Sequence, residues 1–220
     1  MLAVATALDA RELNLRAASA AVKEMPRAQP TEIHNAAHLH GFLGGLKEGE
    51  YVVVGDAGDY LGVLNDGATI QVTGNAGKYV GDNMTRGTLV VQGNAAYGAG
   101  LYPYGGTLVV RGDAGDFTAT MNKGATIIVC GDAGDECATY HLAGDFIVCG
   151  NAGRNFGNFL IRGALYIGGE FASQGHNTRV EELTIEDAQK LRRLFEEFDV
   201  NADVTRFKKL VAKSTKPFYE

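Results

Sequence analysis

One short glycine phrase recurs seven times along this 220-residue chain, always 19 residues apart. The first six copies begin Gly-Asp-Ala-Gly or Gly-Asn-Ala-Gly, apart from one that reads Gly-Asn-Ala-Ala. The opening glycines are Gly55, Gly74, Gly93, Gly112, Gly131, Gly150 and Gly169. A period held through seven units without an insertion indicates identical structural units stacked in one direction.

The second half of each unit has the composition of a short β-strand. β-branched residues dominate and glycines flank each run, as in Thr-Ile-Ile-Val at 126–129. Because strand side chains alternate between two faces, two apolar columns of equivalent positions should point into a core. The first column is Tyr51, Ile70, Leu89, Leu108, Ile127, Phe146 and Leu165. The second is Val53, Val72, Val91, Val110, Val129, Val148 and Ile167.

The glycine phrase itself predicts a turn, because Asp and Asn tolerate left-handed backbone and bond their own main chain. We interpret its glycines as structural turn residues: Gly55, Gly74, Gly93, Gly112, Gly131 and Gly150. A further glycine column predicts another bend: Gly62, Gly81, Gly100 and Gly157. A 19-residue coil of short straight segments that pairs with the next coil, about 4.8 Å along an axis, is a parallel β-helix. Propeller blades need about twice this period, and sandwiches do not keep a period so strictly.

The two ends of the chain lack the repeat and contain helical patterns. Residues 10–24 have an apolar face, and residues 184–198 combine a capping-box pattern with an amphipathic stripe. We therefore divide the chain into an N-terminal cap segment (1–34), a β-helix (35–175) and a C-terminal helical tail (176–220). Open β-helix ends expose unpaired strand edges, so the N-terminal segment should cover one end. The C-terminal helix should cover the other end or flank a side.

Charge and cysteine content exclude several classes of function. A net charge of −6 argues against a nucleic-acid partner, and no apolar run approaches membrane-spanning length. Three cysteines without a paired framework fit a reducing compartment, so we predict a cytoplasmic location. From residue 201 onward there are five basic and two acidic residues. This end is either a solvated tail or an arm that docks on an acidic neighbour.

The candidate reactive side chains do not form a catalytic or metal-binding pattern. His34, His38 and His40 have no Cys, Asp or Glu at ligand spacing beside them, so we interpret them as structural. Cys130 and Cys149 occupy the same outward column of successive coils and are predicted to be free thiols. No nucleophile–base motif is present. We therefore expect no catalytic residue, no cofactor-binding residue and no metal ligand in this chain.

One outward-facing column is more apolar than a solvated scaffold needs. It reads Val52, Gln71, Val90, Val109, Ile128, Ile147 and Tyr166. Contiguous outward apolar surface usually marks a contact. Its candidate interface residues are Val90, Val109, Ile128, Ile147 and Tyr166. Either another polypeptide or the chain's own C-terminal helix should cover this face.

The repeated phrase, followed by Gly-x-[Thr/Leu]-[Val/Ile]-Val-x-Gly over about residues 35–172, resembles the GXGXG β-helix family. That module is the C-terminal domain of the glutamate synthase large subunit. It also occurs as a free-standing subunit in split glutamate synthases, in N-methylglutamate synthase (methylamine–glutamate N-methyltransferase) and in formylmethanofuran dehydrogenase. Arg-Glu-Leu-Asn at 11–14 and the basic, aromatic-ended Lys-Pro-Phe-Tyr at 216–219 look most like the N-methylglutamate synthase subunit.

The resemblance implies an all-β fold, a right-handed parallel β-helix of about seven turns that carries no catalytic residue. It implies two partner subunits in a hetero-oligomer, one glutaminase-like (class II amidotransferase-like) and one FMN-binding with an iron–sulfur cluster. The expected role is that of a scaffold that positions these subunits for amine or ammonia transfer involving glutamate. The alternative is the β-helix subunit of a formylmethanofuran dehydrogenase or formyltransferase-type complex. A third class, a stand-alone solenoid enzyme or binding protein, is disfavoured because Tyr102, Tyr104 and Tyr140 lack accompanying paired carboxylates.

Overall fold

The computed structural model describes residues 6–217, in which the strands form one continuous sheet wound into a β-helix. The strands are β1 (Thr6–Asp9), β2 (Thr31–His34), β3 (Glu50–Val54), β4 (Asp66–Val72), β5 (Arg86–Val91), β6 (Thr107–Val110), β7 (Lys123–Val129), β8 (Ala143–Val148), β9 (Ala164–Ile167), β10 (Thr178–Glu181) and β11 (Lys208–Ala212). The helices are α1 (Leu15–Glu24), α2 (Ile185–Glu197) and a 3-10 turn at Val204–Arg206.

The central strands stack in the register that the 19-residue period requires. Tyr51 pairs with Ile70, which pairs with Leu89, and every pairing from β3 to β9 is parallel. Both predicted inward columns are buried, with Tyr51 the most exposed member at 6%. The predicted all-β, right-handed β-helix of about seven turns is confirmed.

A second ladder joins the coils at the glycine phrase. The carboxylate or amide oxygen of one coil accepts a hydrogen bond from the backbone N–H of the equivalent residue in the next coil. Asn75 N lies 2.7 Å from Asp56 Oδ1, and the same bond recurs at 2.7–2.8 Å in the following four steps. A Cβ at Gly74 or Gly93 would collide with these oxygens. Close approach of the next coil therefore requires glycine here.

This ladder gives the physical basis of the predicted turn. Tolerance of left-handed backbone by Asp and Asn was one reason to expect a turn at the phrase, but the φ angles of these residues are not positive. Among the opening glycines only Gly55 has a positive φ, at 93°. The turn depends on the side-chain oxygen that each Asp or Asn presents to the next coil.

The left-handed backbone lies instead at a corner occupied by large side chains. Tyr60 (φ 57°), Tyr79 (φ 62°) and Phe117 (φ 59°) are equivalent residues of different coils. This conformation costs an L-residue about 1–2 kcal/mol. Hydrogen bonds to both neighbouring coils hold it in place: Tyr60 N donates to Lys78 O at 2.7 Å, and Gly62 N donates to Phe42 O at 3.0 Å.

The ends of the β-helix are covered by different elements. At the N-terminal end, β1 extends the sheet in parallel, and α1 buries Ala18 and Val22 against the core. At the other end, β11 pairs antiparallel with both β9 and β10. The stretch predicted to be a helical or solvated tail thus contains two strands. Helix α2 covers a side of the β-helix, which was one of its two expected positions.

His141 is a fully buried histidine at one corner of a coil. Its Nε2 lies 3.2 Å from Gly144 O, and its Nδ1 has no hydrogen-bond partner within residues 6–217. Burial lowers the pKa of His141 to about 4. One coil earlier, Asn122 occupies the same position, donating to Ala125 O at 2.9 Å and accepting from Ala125 N at 2.8 Å. An asparagine therefore satisfies this corner better than a histidine.

We expect His141→Asn to reduce the loss of stability on acidification. The unfolded-state pKa is near 6.5 and the folded one is lower, so the unfolded chain binds more protons between these values. Wild-type stability should therefore fall as the pH drops through this window, by ~2 kcal/mol at pH 5 from this residue. Denaturant titration at pH 8 and pH 5 measures the difference. Equal pH dependence in His141→Asn and the wild type would contradict the assignment.

Candidate interaction surfaces

The chain's own C-terminal segment covers the predicted apolar column. Val109, Ile128, Ile147 and Tyr166 are fully buried and form one cluster with that segment. Its contributing side chains are Leu191, Phe195, Val200, Val204 and Phe207. Val90 lies half-buried beside the cluster. Of the two covers that the sequence left open, the chain's own C-terminal segment is the one observed, so a partner polypeptide cannot contact the four buried candidate interface residues while helix α2 occupies the face.

Helix α2 starts at the predicted capping box. Thr184 Oγ1 accepts a hydrogen bond from Asp187 N at 3.1 Å, and Asp187 Oδ2 accepts one from Thr184 N at 3.1 Å. The reciprocal bonds satisfy two of the backbone N–H groups that a helix start leaves unpaired. The cap also places the Asp187 carboxylate against the β-helix.

Asp187 links the helix to two strands of the sheet. Its carboxylate accepts from Tyr166 OH at 2.7 Å and from Lys209 Nζ at 2.9 Å. Burial raises the pKa of Asp187, but hydrogen bonds from Lys209, Tyr166 and Thr184 outweigh it and hold that pKa well below its ordinary value. Burial and the hydrogen bond to Asp187 raise the pKa of Tyr166. The cluster therefore contains a carboxylate, a neutral phenol and an ammonium at neutral pH.

Two further contacts hold helix α2 against the β-helix. Lys190 Nζ lies 2.7 Å from Asp145 Oδ1, with both side chains mostly buried. The Arg111 guanidinium donates to Phe198 O and, at 2.9 Å, to Asp199 O, where α2 ends. A cation at the carboxyl end of a helix satisfies its unpaired carbonyls and opposes its dipole. Helix α2 is thus fixed at its start, middle and end.

A partly exposed row of aromatic rings, the aromatic column, lies on a different part of the surface. It consists of Tyr60, Tyr79, Tyr97 and Phe117. The Tyr60 and Tyr79 ring centroids are 4.7 Å apart and nearly parallel, and the next two spacings are 5.5 and 5.3 Å. Tyr60 is 40% exposed and Tyr97 is 37% exposed. Stacked rings left in water are a feature of surfaces that bind partners.

A shallow groove of about 410 Å³ continues from this column towards Tyr102 and Tyr140. The Lys123 ammonium lies 4.0 Å from the centroid of the Tyr104 ring nearby. Sequence reasoning singled out Tyr102, Tyr104 and Tyr140 but missed the aromatic column. The signal was present, because Tyr60 and Tyr79 are 19 residues apart and Tyr97 lies one residue out of register.

The histidines and cysteines do not converge on a metal. His38 Nε2 lies 2.9 Å from Leu13 O, and His40 Nδ1 accepts from Asp59 N at 3.0 Å. The cysteines are free thiols, and burial raises the pKa of Cys137 to about 12. Across residues 6–217 no group of three or more His, Cys, Asp and Glu side chains is placed to hold a metal ion. Within the same residues, no helix is long and apolar enough to cross a membrane.

The fold and these surfaces define a β-solenoid with one self-covered side and an exposed aromatic column. The predicted turn glycines and the Asp and Asn residues that follow them lie at the contacts between consecutive coils. The sequence profile described as GXGXG motif matches residues 4–218, so the chain belongs to the GXGXG family. No curated protein sequence matched the chain.

We expect Asp187→Asn to destabilise the protein by about 2–4 kcal/mol at pH 7, because it leaves the mostly buried Lys209 ammonium without a counter-charge. Denaturant unfolding provides the measurement. In a Lys209→Met background the same substitution should cost less, since the unpaired charge is gone. Glu181→Gln, which breaks an exposed ion pair with Arg179, should change stability by less than about 1 kcal/mol. An equally small effect of Asp187→Asn would mean that the cluster does not hold the helix.

Proposed function

We propose that this chain is the non-catalytic β-helix subunit of a glutamate-synthase-like complex, specifically of the N-methylglutamate synthase type. Membership of the GXGXG family supports the broader class. The finer assignment rests on the sequence patterns at 11–14 and 216–219. In this proposal the complex operates in the cytoplasm and transfers an amine or ammonia in a reaction involving glutamate.

The observation that carries a scaffold role is how the polar groups of the repeat are used. In six consecutive turns the Asp or Asn oxygen accepts a backbone N–H of the next coil. Those side chains connect coils and do not converge on a common point where a substrate could bind. The resulting rod has a continuous apolar core, so it deforms little.

A rod of this kind suits the spacing of two active sites. Six steps of about 4.8 Å between seven coils give a length of roughly 29 Å. In our proposal a glutaminase-like subunit and an FMN-binding subunit with an iron–sulfur cluster contact this rod and supply the chemistry. The β-helix fixes their separation, so that the transferred amine or ammonia passes between them without escaping to solvent.

The aromatic column is the surface that we assign to a partner subunit. The side that carries Ile128 and Ile147 is covered by helix α2, whereas Tyr60 and Tyr97 are more than a third exposed. Tyrosine is enriched at protein interfaces because its ring is apolar and its hydroxyl stays hydrogen-bonded. A partner subunit packed on this column would remove the exposed parts of these rings from water.

Purification of the full chain from its native source, with an affinity tag, tests the proposed complex. We expect a flavin-yellow assembly that contains a glutaminase-like chain and an FMN-binding chain. Molybdenum or tungsten in the assembly would instead favour the formylmethanofuran-type complex. Turnover of glutamate or methylamine by the isolated chain would contradict the scaffold role.

The double variant Tyr60→Asn/Tyr79→Asn should lose its partner subunits in the same purification. Asn155 occupies the equivalent position of a later coil, also with positive φ, so the fold should accept asparagine there. The melting temperature should therefore change by only a few degrees. The control Glu50→Asn/Thr69→Asn alters two exposed residues of adjacent strands and should retain the partners. If the control lost the partner subunits and the tyrosine variant retained them, the aromatic column would not be the interface.

A further inference from the structure

Two free thiols lie side by side on consecutive coils. Val129 pairs with Val148 in the parallel register of β7 and β8, so the next residues, Cys130 and Cys149, are also neighbours. Each is held by a backbone bond to the preceding coil: Cys130 N to Val110 O and Cys149 N to Val129 O, both at 2.8 Å. Adjacent strands are about 4.8 Å apart, which lies inside the roughly 4.4–6.8 Å Cα separation that disulfides span.

Small molecules can reach this pair. Both cysteines are half-buried, and they line a cavity of about 210 Å³ beneath the C-terminal segment. The opposite wall contains Asp203, Arg206 and Phe207. A water molecule occupies about 30 Å³, so the cavity has room for hydrogen peroxide.

The surroundings of the two sulfurs differ, which gives them different roles. A hydrogen bond from the Cys149 thiol, together with the positive charge of Arg111, lowers the pKa of Cys130 despite its partial burial. The same hydrogen bond and burial raise the pKa of Cys149. The charged groups that line the cavity, Asp203 and Arg206, carry opposite signs. The strand register places Cys130 between Arg111 and Cys149, and Cys149 between Cys130 and Gly168. Because the guanidinium is the neighbour of Cys130, we assign the attacking thiolate to Cys130 and the resolving thiol to Cys149.

We propose that Cys130 and Cys149 form a modification site, a dithiol that a peroxide oxidises to a reversible disulfide between consecutive coils. The Cys130 thiolate attacks one oxygen of hydrogen peroxide, the O–O bond breaks, and hydroxide leaves, so that Cys130 becomes a sulfenic acid. The Cys149 sulfur then attacks the Cys130 sulfur, and the sulfenic oxygen leaves as water. Two thiols lose two electrons in total, and one peroxide becomes two waters.

The bond can be reduced again. Both cysteines lie just after their strands, where a small shift of the turns can bring the two Cβ atoms within the roughly 3.5–4.5 Å that a disulfide needs. The pair is half-buried at the edge of a cavity, so a thiol reductant can reach the disulfide. This site does not depend on the proposed complex.

Peptide mapping by mass spectrometry tests the proposal on the full chain. After reduction and treatment with stoichiometric hydrogen peroxide, we expect a cross-link of Cys130 to Cys149 with a loss of two hydrogens. The count of free thiols in denaturant should fall from the three of the sequence to one. The remaining thiol should be Cys137, an internal control whose burial raises its pKa to about 12. Dithiothreitol should restore all three thiols.

Two variants separate the roles of the pair. Cys149→Ser should stop at a sulfenic acid on Cys130 that dimedone traps, whereas Cys130→Ser should react with peroxide at least tenfold more slowly. Thr73 and Gln92 occupy the same column in earlier coils, so polar residues are tolerated there. Reaction of Cys137 as fast as Cys130, or an oxidised wild type in which Cys149 remains a free thiol, would overturn the proposal.

Discussion

The whole structure depends on hydrogen bonds between each residue and its equivalent one coil away. The strand ladder supplies one set, and the Asp/Asn oxygens supply a second at the glycine phrase. The third set holds Tyr60, Tyr79 and Phe117 in left-handed backbone at another corner. A coil with a different length would break all three sets at once, because their registers are linked by the same 19 residues. This constraint keeps the repeat constant and makes the rod stiff.

The C-terminal segment makes the sides of the β-helix chemically different from one another. Helix α2 and the residues after it bury the apolar column from Val109 to Tyr166, and Asp187 ties the helix to β9 and β11. The aromatic column remains partly exposed to solvent on another part of the surface. In the proposed complex, a partner subunit would therefore meet different chemistry on different sides, which suits a spacer between two unlike subunits. The cysteine pair lies where the helix-bearing segment crosses the last coils.

The repeat could be predicted from the sequence because every coil keeps the same 19-residue spacing. The column from Tyr51 to Leu165 is the observed register, and the capping box at Thr184 lies where the pattern predicted it. Other features could not be predicted from the sequence. No local sequence pattern distinguishes an apolar column that contacts a partner from one that contacts the chain's own helix. Only the structure shows that helix α2 covers Ile128. Strand β11 has the sequence Lys-Lys-Leu-Val-Ala, which shows no clear apolar period, and it pairs with the edge of β9 on one side and with β10 on the other. The left-handed tyrosines defy local preference and are held by neighbouring coils.

A cryo-EM map of the native assembly tests the scaffold account most directly. The account predicts that the β-helix lies between two unlike subunits, one of which packs on the aromatic column, with the flavin and any iron–sulfur cluster held outside this chain. The coils should superimpose on those described above without bending. A map in which a substrate or cofactor is bound by side chains of the β-helix, or in which the rod touches a single subunit, would contradict the account.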